Sequence, residues 1–441
     1  MPRFRRTWSG RQRCRVVITG VGVVSPGGRA VETFWRSLMG TSDAESWSSS
    51  LQIKRGTADF SGRIEDFGEL PDVQRKLIRK SLKLMNRETQ LGVAAGQQAL
   101  AASGLLEWDD SIREKTGVCF GADNVSILPE DFQAGVRACT DAACNFEIDR
   151  WGTAGIPEVE PLWLLKCLPN MPACHLAIIN DLQGPNNTIT QRDVSANMAV
   201  AEACRKIRCG DAPAMLVGAT GTTLSTFNQM HARLEGEISD ESATAICCPF
   251  DRQPGGPAPG EGAAALVLED LKSARERGAT IYGEILSAVT TSRLGCDRGA
   301  GAACEQALTQ AIQRALTLGG LAPERVGHIH AHGLGTRVSD AAEASAICEV
   351  FGELHRSIPV VAAKGRLSHA GAGAGAMELV ASVLALQHGE LFPLPRRSEP
   401  DPDCPLRLVT SRGVPAGESF LNLSLFGRGL ASCVAVGRFA A

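Results

Sequence analysis

No apolar run in the 441 residues approaches the roughly 18–20 that a bilayer-crossing helix requires, so no membrane span is expected. Cysteine pairs at zinc-ligand spacing are also missing. The fifteen cysteines are scattered, mostly in apolar runs such as Ala203-Cys204 and Ile246-Cys247-Cys248. That pattern excludes a disulfide framework and a zinc module, and fits buried free thiols in a reducing compartment. A basic surplus is lacking too: the formal charge is -3, which argues against a nucleic-acid binder. Arg3, Arg5, Arg6, Arg11, Arg13 and Arg15 crowd the start, with no acid before Glu32. No apolar segment of signal-peptide length follows, because Val16–Val24 is short and interrupted by Gly20 and Gly22. Residues 1–14 therefore read as a disordered basic tail, and the expected location is cytoplasmic.

What is present alternates. Short apolar runs read as buried strands: Val16–Val24, Thr116–Gly121, Ala214–Gly218, Ala263–Leu268, Ile281–Leu286, Val326–His330 and Pro359–Ala363. Between them lie helical segments at Gln74–Ser103, Val194–Cys209, Cys304–Leu318, Ala341–Phe351 and Ala376–His388. Ser42–Ser50 is polar, and Cys248–Gly262 is rich in proline and glycine and reads as a loop. Strands alternating with helices throughout imply an α/β protein with sheets sandwiched by helices. A division near residue 270 would give halves of 15–270 and 271–441.

Two histidine segments carry candidate chemistry. His330-Ala-His-Gly-Leu-Gly-Thr and Lys364-Gly-Arg-Leu-Ser-His-Ala-Gly each follow an expected strand with a glycine-rich loop. Ligands in open α/β sheets bind at such strand ends, and glycine lets the backbone approach them closely. Convergent imidazoles at His332 and His369 can donate to a thioester or enolate oxygen and move protons. Taken singly, each histidine could also be a buried ring satisfied by loop carbonyls.

The sequence around these histidines resembles the β-ketoacyl-[acyl carrier protein] synthases, a family of the thiolase superfamily. His332-Gly-Leu-Gly-Thr with Asp340 and Glu343 resembles the family's first histidine motif, and Lys364, His369 and Glu378 fall on its second. Pro249-Phe-Asp-Arg with Gly260-Glu-Gly-Ala, the opening Val16–Pro26, and Asn422 with Phe426-Gly427 extend the resemblance from about residue 15 to 438. It implies a thiolase-like α-β-α-β-α sandwich of five layers, built from two similar halves. It also implies catalytic roles for His332, His369 and Lys364, substrate binding or gating by Thr336, Asn422, Phe426 and Gly427, and support from Asp340, Glu343 and Glu378. An acyl carrier protein would be the partner, within a homodimer or a heterodimer with a cysteine-bearing synthase. Neither a metal nor another cofactor is implied.

One landmark departs from the family pattern. A gapless count between Gly184-Pro185 and Gly210-Asp211 puts Asp193 where the family carries its acyl-accepting cysteine. A carboxylate is a weak nucleophile whose acylation would give a hydrolysis-prone anhydride, so ordinary elongation is not expected. At the start of an expected helix, Asp193 also reads as an N-cap. Cys204 lies three helical turns away, and Ser195 would need an aligned base. Pro254 and Pro257 stand where the family has an arginine and an aromatic. Leu334 replaces a threonine, and Leu423, Ser424, Leu425 and Arg428 alter the C-terminal loop.

The expected function is that of a synthase-like protein which binds acyl or malonyl thioesters. A chain-length-factor-like partner subunit comes first. Alternatives are a malonyl-carrier decarboxylase using His332 and His369, an atypical condensing acyltransferase, and a non-catalytic scaffold. A fixed anion at Asp193 is expected to raise the pKa of both histidines.

Overall fold

The computed structural model describes residues 14–40, 56–107, 110–123, 128–234, 247–294, 299–396, 399–427 and 429–439. The expectations for residues 1–13, for Ser42–Ser50, for Ile246 and for Arg428 fall outside the described residues.

Among them, eleven strands form one continuous sheet: β1 (Val16–Val24), β2 (Gly117–Gly121), β3 (Asn186–Ile189), β4 (Ala214–Thr222), β5 (Glu261–Asp270), β6 (Gly283–Ser292), β7 (His328–His330), β8 (Pro359–Val361), β9 (Arg407–Leu408), β10 (Ser419–Phe426) and β11 (Leu430–Gly437). Their order is β3-β2-β4-β5-β1-β6-β11-β10-β7-β8-β9. The two sides of the β1–β6 junction mirror each other. In β3-β2-β4 the strands run parallel, and β5 and β1 follow antiparallel. In β8-β7-β10 they are again parallel, and β11 and β6 follow antiparallel. The junction itself is short, pairing Val16–Ile18 with Ile285–Gly283.

Helices complete the five layers of the thiolase fold. Ser195–Cys209 and Ala372–His388 pack against strands of both halves and form the central layer. Arg87–Ser103 covers the outer face of β1, β4 and β5, and Gly299–Gly319 covers β6 and β11. The central helix Ala372–His388 is buried from Ala372 to Leu386, as expected of an element packed between the two halves of the sheet. The outer contact is equally close. A Cβ at Gly20 or Gly22 would lie 2.2 Å from the carbonyl oxygen of Ala99 or Ala95, so these glycines let Arg87–Ser103 approach β1.

Two local expectations change. Gln74–Ser103 is not one helix: Asp72–Ser81 ends, a 3-10 turn follows, and Asn86 caps a new helix by accepting from the Thr89 amide at 2.8 Å. Beyond it, the helix Met171–Asn180 ends at Asp181 in left-handed backbone, and β3 follows as an edge strand that the sequence pattern did not single out. Fourteen cysteines are described and all are free thiols, nine of them buried. No described helix is long and apolar enough to cross a membrane.

Candidate active site

The site forms where both halves meet the central helices. Between β3 and Ser195–Cys209 the chain makes a one-turn 3-10 helix, Arg192–Val194. Arg192 has φ 52, a left-handed conformation that costs a non-glycine residue energy and that clusters at functional sites. The turn is tied by the Gln191 amide, which donates to Ser195 Oγ at 2.7 Å. Gly375 of the facing helix permits the close approach, since a Cβ there would lie 3.0 Å from the Asp193 carbonyl oxygen.

This placement corrects the capping expectation. The helix begins at Ser195 with Val194 in the N-cap position, so Asp193 lies one residue earlier, inside the 3-10 turn. Its carboxylate, 3% exposed, faces the fully buried His369, with Oδ1 3.5 Å from Nδ1.

His332 leaves β7 on a loop held by two carboxylates of the helix Arg337–Phe351. Glu343 accepts from the His332 amide at 2.7 Å and the Gly333 amide at 2.9 Å. Asp340 accepts from Gly335 at 3.0 Å and Phe250 at 2.8 Å. Burial lifts the Glu343 carboxyl to about 8 and Asp340 to about 7, while the amide donors and Lys364 pull both down. Gly333 takes φ +49 and would place a Cβ 2.5 Å from that of Ala362, so this bend excludes a side chain.

Lys364 joins the pieces. Its ammonium donates to His332 Nδ1 at 3.0 Å, to the His332 carbonyl at 2.8 Å and to Glu378 Oε1 at 2.5 Å, which uses all three protons. Burial works against its charge, but Glu378, Asp193 and Glu343 outweigh it and hold the ammonium above its ordinary pKa. With Nδ1 accepting, His332 carries its proton on Nε2. Burial first, then Lys364 and His369, push the His332 pKa well below the ordinary value. The expectation of a raised pKa at His332 is therefore corrected: desolvation exceeds any attraction from Asp193, and the ring is a neutral donor.

His369 is set by backbone. Its amide donates to the Ala258 carbonyl at 2.8 Å, and its carbonyl accepts from the Gly260 amide at 3.0 Å and Thr223 Oγ1 at 2.7 Å. The proline- and glycine-rich stretch is thus a clamp on this histidine, a role its composition did not reveal. Asn197 was also missed. Its amide donates to the Asn422 carbonyl, Ser424 Oγ and Ser432 Oγ at 3.0–3.2 Å, and Asn422 returns a bond to Asn197 Oδ1 at 3.0 Å. The Asn422 side chain is therefore committed to the helix after the Asp193 turn.

Thr336 is the N-cap residue of the helix Arg337–Phe351 and is half-buried. Phe426 ends β10, partly exposed, and Gly427 lies in the exposed turn toward β11. Asp193, His332, Lys364, His369 and Asn422 are each at most 2% exposed. Cys204 is no substitute nucleophile: burial pushes its thiol up to about 12.

Comparisons agree with this architecture. The family model described as β-ketoacyl synthase, N-terminal domain, matches residues 13–274, and the C-terminal domain model matches 282–396. The chain is 31% identical over 410 residues to a 3-oxoacyl-[acyl-carrier-protein] synthase 2 of Synechocystis, covering 90% of this chain and 91% of that one. It is 29% identical over 401 residues to the oxytetracycline polyketide putative beta-ketoacyl synthase 1 of Streptomyces rimosus, covering 90% of each. Among solved structures, the ishigamide ketosynthase/chain length factor superposes with a TM-score of 0.77 at 24% identity, covering 97% of this chain and all of that one. A type II polyketide ketosynthase in complex with its acyl-carrier protein gives 0.75 at 23% identity, with the same coverage.

Proposed function

The chain belongs to the β-ketoacyl synthase family, and we propose that within it this protein binds acyl or malonyl thioesters of an acyl carrier protein without accepting the acyl group covalently. It serves as the chain-length-factor-like partner of a cysteine-bearing synthase. The observation that carries this reading is Asp193. It occupies the turn before the central helix, with His369 beside it and His332, Lys364 and Glu378 linked to one another nearby, and the count between Gly184-Pro185 and Gly210-Asp211 supports reading it as the family's nucleophile position. A carboxylate there cannot form a stable acyl-enzyme.

Two surfaces support the partners. Among the described residues the edge strand β3 pairs on one side only, with β2, and the helix beside it exposes Ile178 at 67%. That edge suits pairing with a second subunit. Arg75, Lys76, Arg79, Lys80 and Lys83 are exposed on Asp72–Ser81 and the turn after it, a concentration of positive charge suited to an acidic carrier.

A second reading, malonyl-carrier decarboxylation, draws support from the His332 tautomer, whose Nε2 proton suits an enolate oxygen. The two separate experimentally. Co-expression with a cysteine-bearing homologue should yield a heterodimer; a clean homodimer counts against the partner role. Carbon dioxide release from malonyl-carrier protein, abolished by His332→Ala, would instead establish decarboxylation.

A further inference from the structure

Although the two site histidines look alike in sequence, the structure surrounds them oppositely. His332 Nδ1 faces the ammonium of Lys364 at 3.0 Å and must accept, which leaves its proton on Nε2. His369 Nδ1 faces the carboxylate of Asp193 at 3.5 Å, so the electrostatically favoured proton is on Nδ1 and the lone pair is on Nε2. A contact of 3.5 Å is longer than a good hydrogen bond, and catalytic contacts of this kind tighten when substrate fills the site. The rings lie close enough to influence each other's charge, as do Asp193 and Lys364. One ring is thereby a hydrogen-bond donor and the other a base.

We propose that Asp193 and His369 form a general-base dyad which, with His332 as carbonyl donor, makes this site a hydrolase for carrier-bound acyl thioesters. The assignment rests on the thioester-binding reading above and adds a reaction to it. His369 Nε2 takes a proton from water as the water oxygen bonds to the thioester carbonyl carbon. The charge gathering on the carbonyl oxygen is met by His332 Nε2–H, and the imidazolium formed at His369 is met by Asp193. Collapse breaks the carbon–sulfur bond, and His369 returns the proton to the departing thiolate. Water and thioester give a free acid and the carrier thiol, with no other reactant. Asp193 is a positioning residue in this scheme, and His369 and His332 are the catalytic residues.

The test uses the full-length protein with octanoyl-carrier protein and octanoyl-pantetheine as probes. Thiol release should fall by about a hundredfold or more in His369→Gln and in Asp193→Asn, the usual worth of a general base. Nitrogen-15 spectra of histidine-labelled protein should show His332 protonated on Nε2 and His369 on Nδ1. Asp193→Asn should move the His369 proton, a change that mere loss of packing would not produce. If Asp193→Asn does not fold, the wild-type spectrum and His369→Gln still decide. Release no faster than in buffer, or both rings protonated on Nε2 in the wild type, overturns the dyad. So does oxygen-18 from water appearing in Asp193, since that marks the carboxylate as nucleophile. Octanoyl-carrier protein that binds but is not cleaved removes this inference alone, whereas failure to bind removes the reading beneath it.

Discussion

Lys364 meets His332 twice, at ring nitrogen Nδ1 and at the backbone carbonyl, and so fixes both the ring's tautomer and the loop that carries it. The third ammonium proton goes to Glu378 on the central helix, and the Lys364 and Glu378 side chains are both 1% exposed. A pair so fully desolvated contributes less through its own attraction than it costs to break.

Replacing Lys364 by Met should therefore cost about 3–5 kcal/mol, because it strands the Glu378 charge in the core. Urea unfolding would read this as a lower midpoint at unchanged slope. Lys364→Met combined with Glu378→Met should recover much of the loss. A double variant no more stable than Lys364→Met would show that the penalty comes from packing, not from the orphaned carboxylate.

Glu343→Gln tests the loop clamp. Each carboxyl oxygen of Glu343 accepts one amide, from His332 and from Gly333, and glutamine can offer only one acceptor. One buried N–H would then face an NH2 group, at a cost of about 1–3 kcal/mol. Thermal unfolding should shift down accordingly, and the His332 ring resonances should broaden or move. Unchanged stability would mean that the loop holds its shape without the clamp.

The histidine loops were legible because each is a contiguous window: a strand, a glycine bend and a charged residue within a helical turn or two. The support around them was not. Asn197 and Asn422 are 225 residues apart, and the Ala258–Gly260 stretch reaches His369 across more than a hundred, so no local pattern announces either contact. The Asp193 capping expectation failed by one residue, because a 3-10 turn starting from a left-handed Arg192 delays the helix. The electrostatic expectation failed at His332 because it weighed the nearby anion and left out burial. The mirrored strand order makes the two similar halves visible in topology, where sequence self-similarity is weak.

Acid stability offers a test of the buried histidines. His328 donates from Nδ1 to the Ala416 carbonyl at 2.7 Å and accepts at Nε2 from Ser382 Oγ at 3.1 Å. Burial lowers its pKa from 6.5 to about 4. Between those values the unfolded chain binds a proton that the folded chain refuses. The stability contributed by the neutral ring is thus full above about pH 6.5 and is lost as pH falls toward about 4, a difference of about 3 kcal/mol. Asp340 and Glu343, raised to about 7 and about 8, act with the opposite sign across the same range, their contribution being lost as pH rises from the ordinary carboxylate range toward those values. The wild-type curve minus that of His328→Phe isolates the effect, and a difference flat between pH 4 and 6.5 would refute it.

Asp193→Cys should restore a reactive thiol. The side chain would sit in the turn before Ser195–Cys209, close to the positive end of that helix and beside His369, both of which favour a thiolate. Peptide mapping after iodoacetamide should find residue 193 labelled along with the exposed Cys144 and Cys209, while Cys119, Cys204 and Cys404, each pushed up to about 12 by burial, stay unlabelled. Octanoyl-carrier protein should leave an octanoyl mass on the new cysteine. Labelling without acylation would place the fault in the altered mouth around Phe426, and absence of both would mean that residue 193 does not face the acyl site.

The Asn197–Asn422 exchange joins the central helix after the Asp193 turn to β10 of the other half, with both side chains almost fully buried. Asn422 Nδ2 donates to Asn197 Oδ1, and Asn197 Nδ2 donates to the Asn422 backbone carbonyl, so removing either side chain strands one side-chain group of the other, whereas removing both leaves the Asn422 carbonyl, Ser424 and Ser432 to reorganise. Asn197→Leu and Asn422→Leu should each destabilise by about 1–3 kcal/mol, and the double variant by less than their sum. A coupling of about 1 kcal/mol or more in a double-mutant cycle would identify a true polar bridge between the halves. Strict additivity would mean that each asparagine is held by its other contacts, and that the Asp193 turn is positioned by Gly375 packing alone.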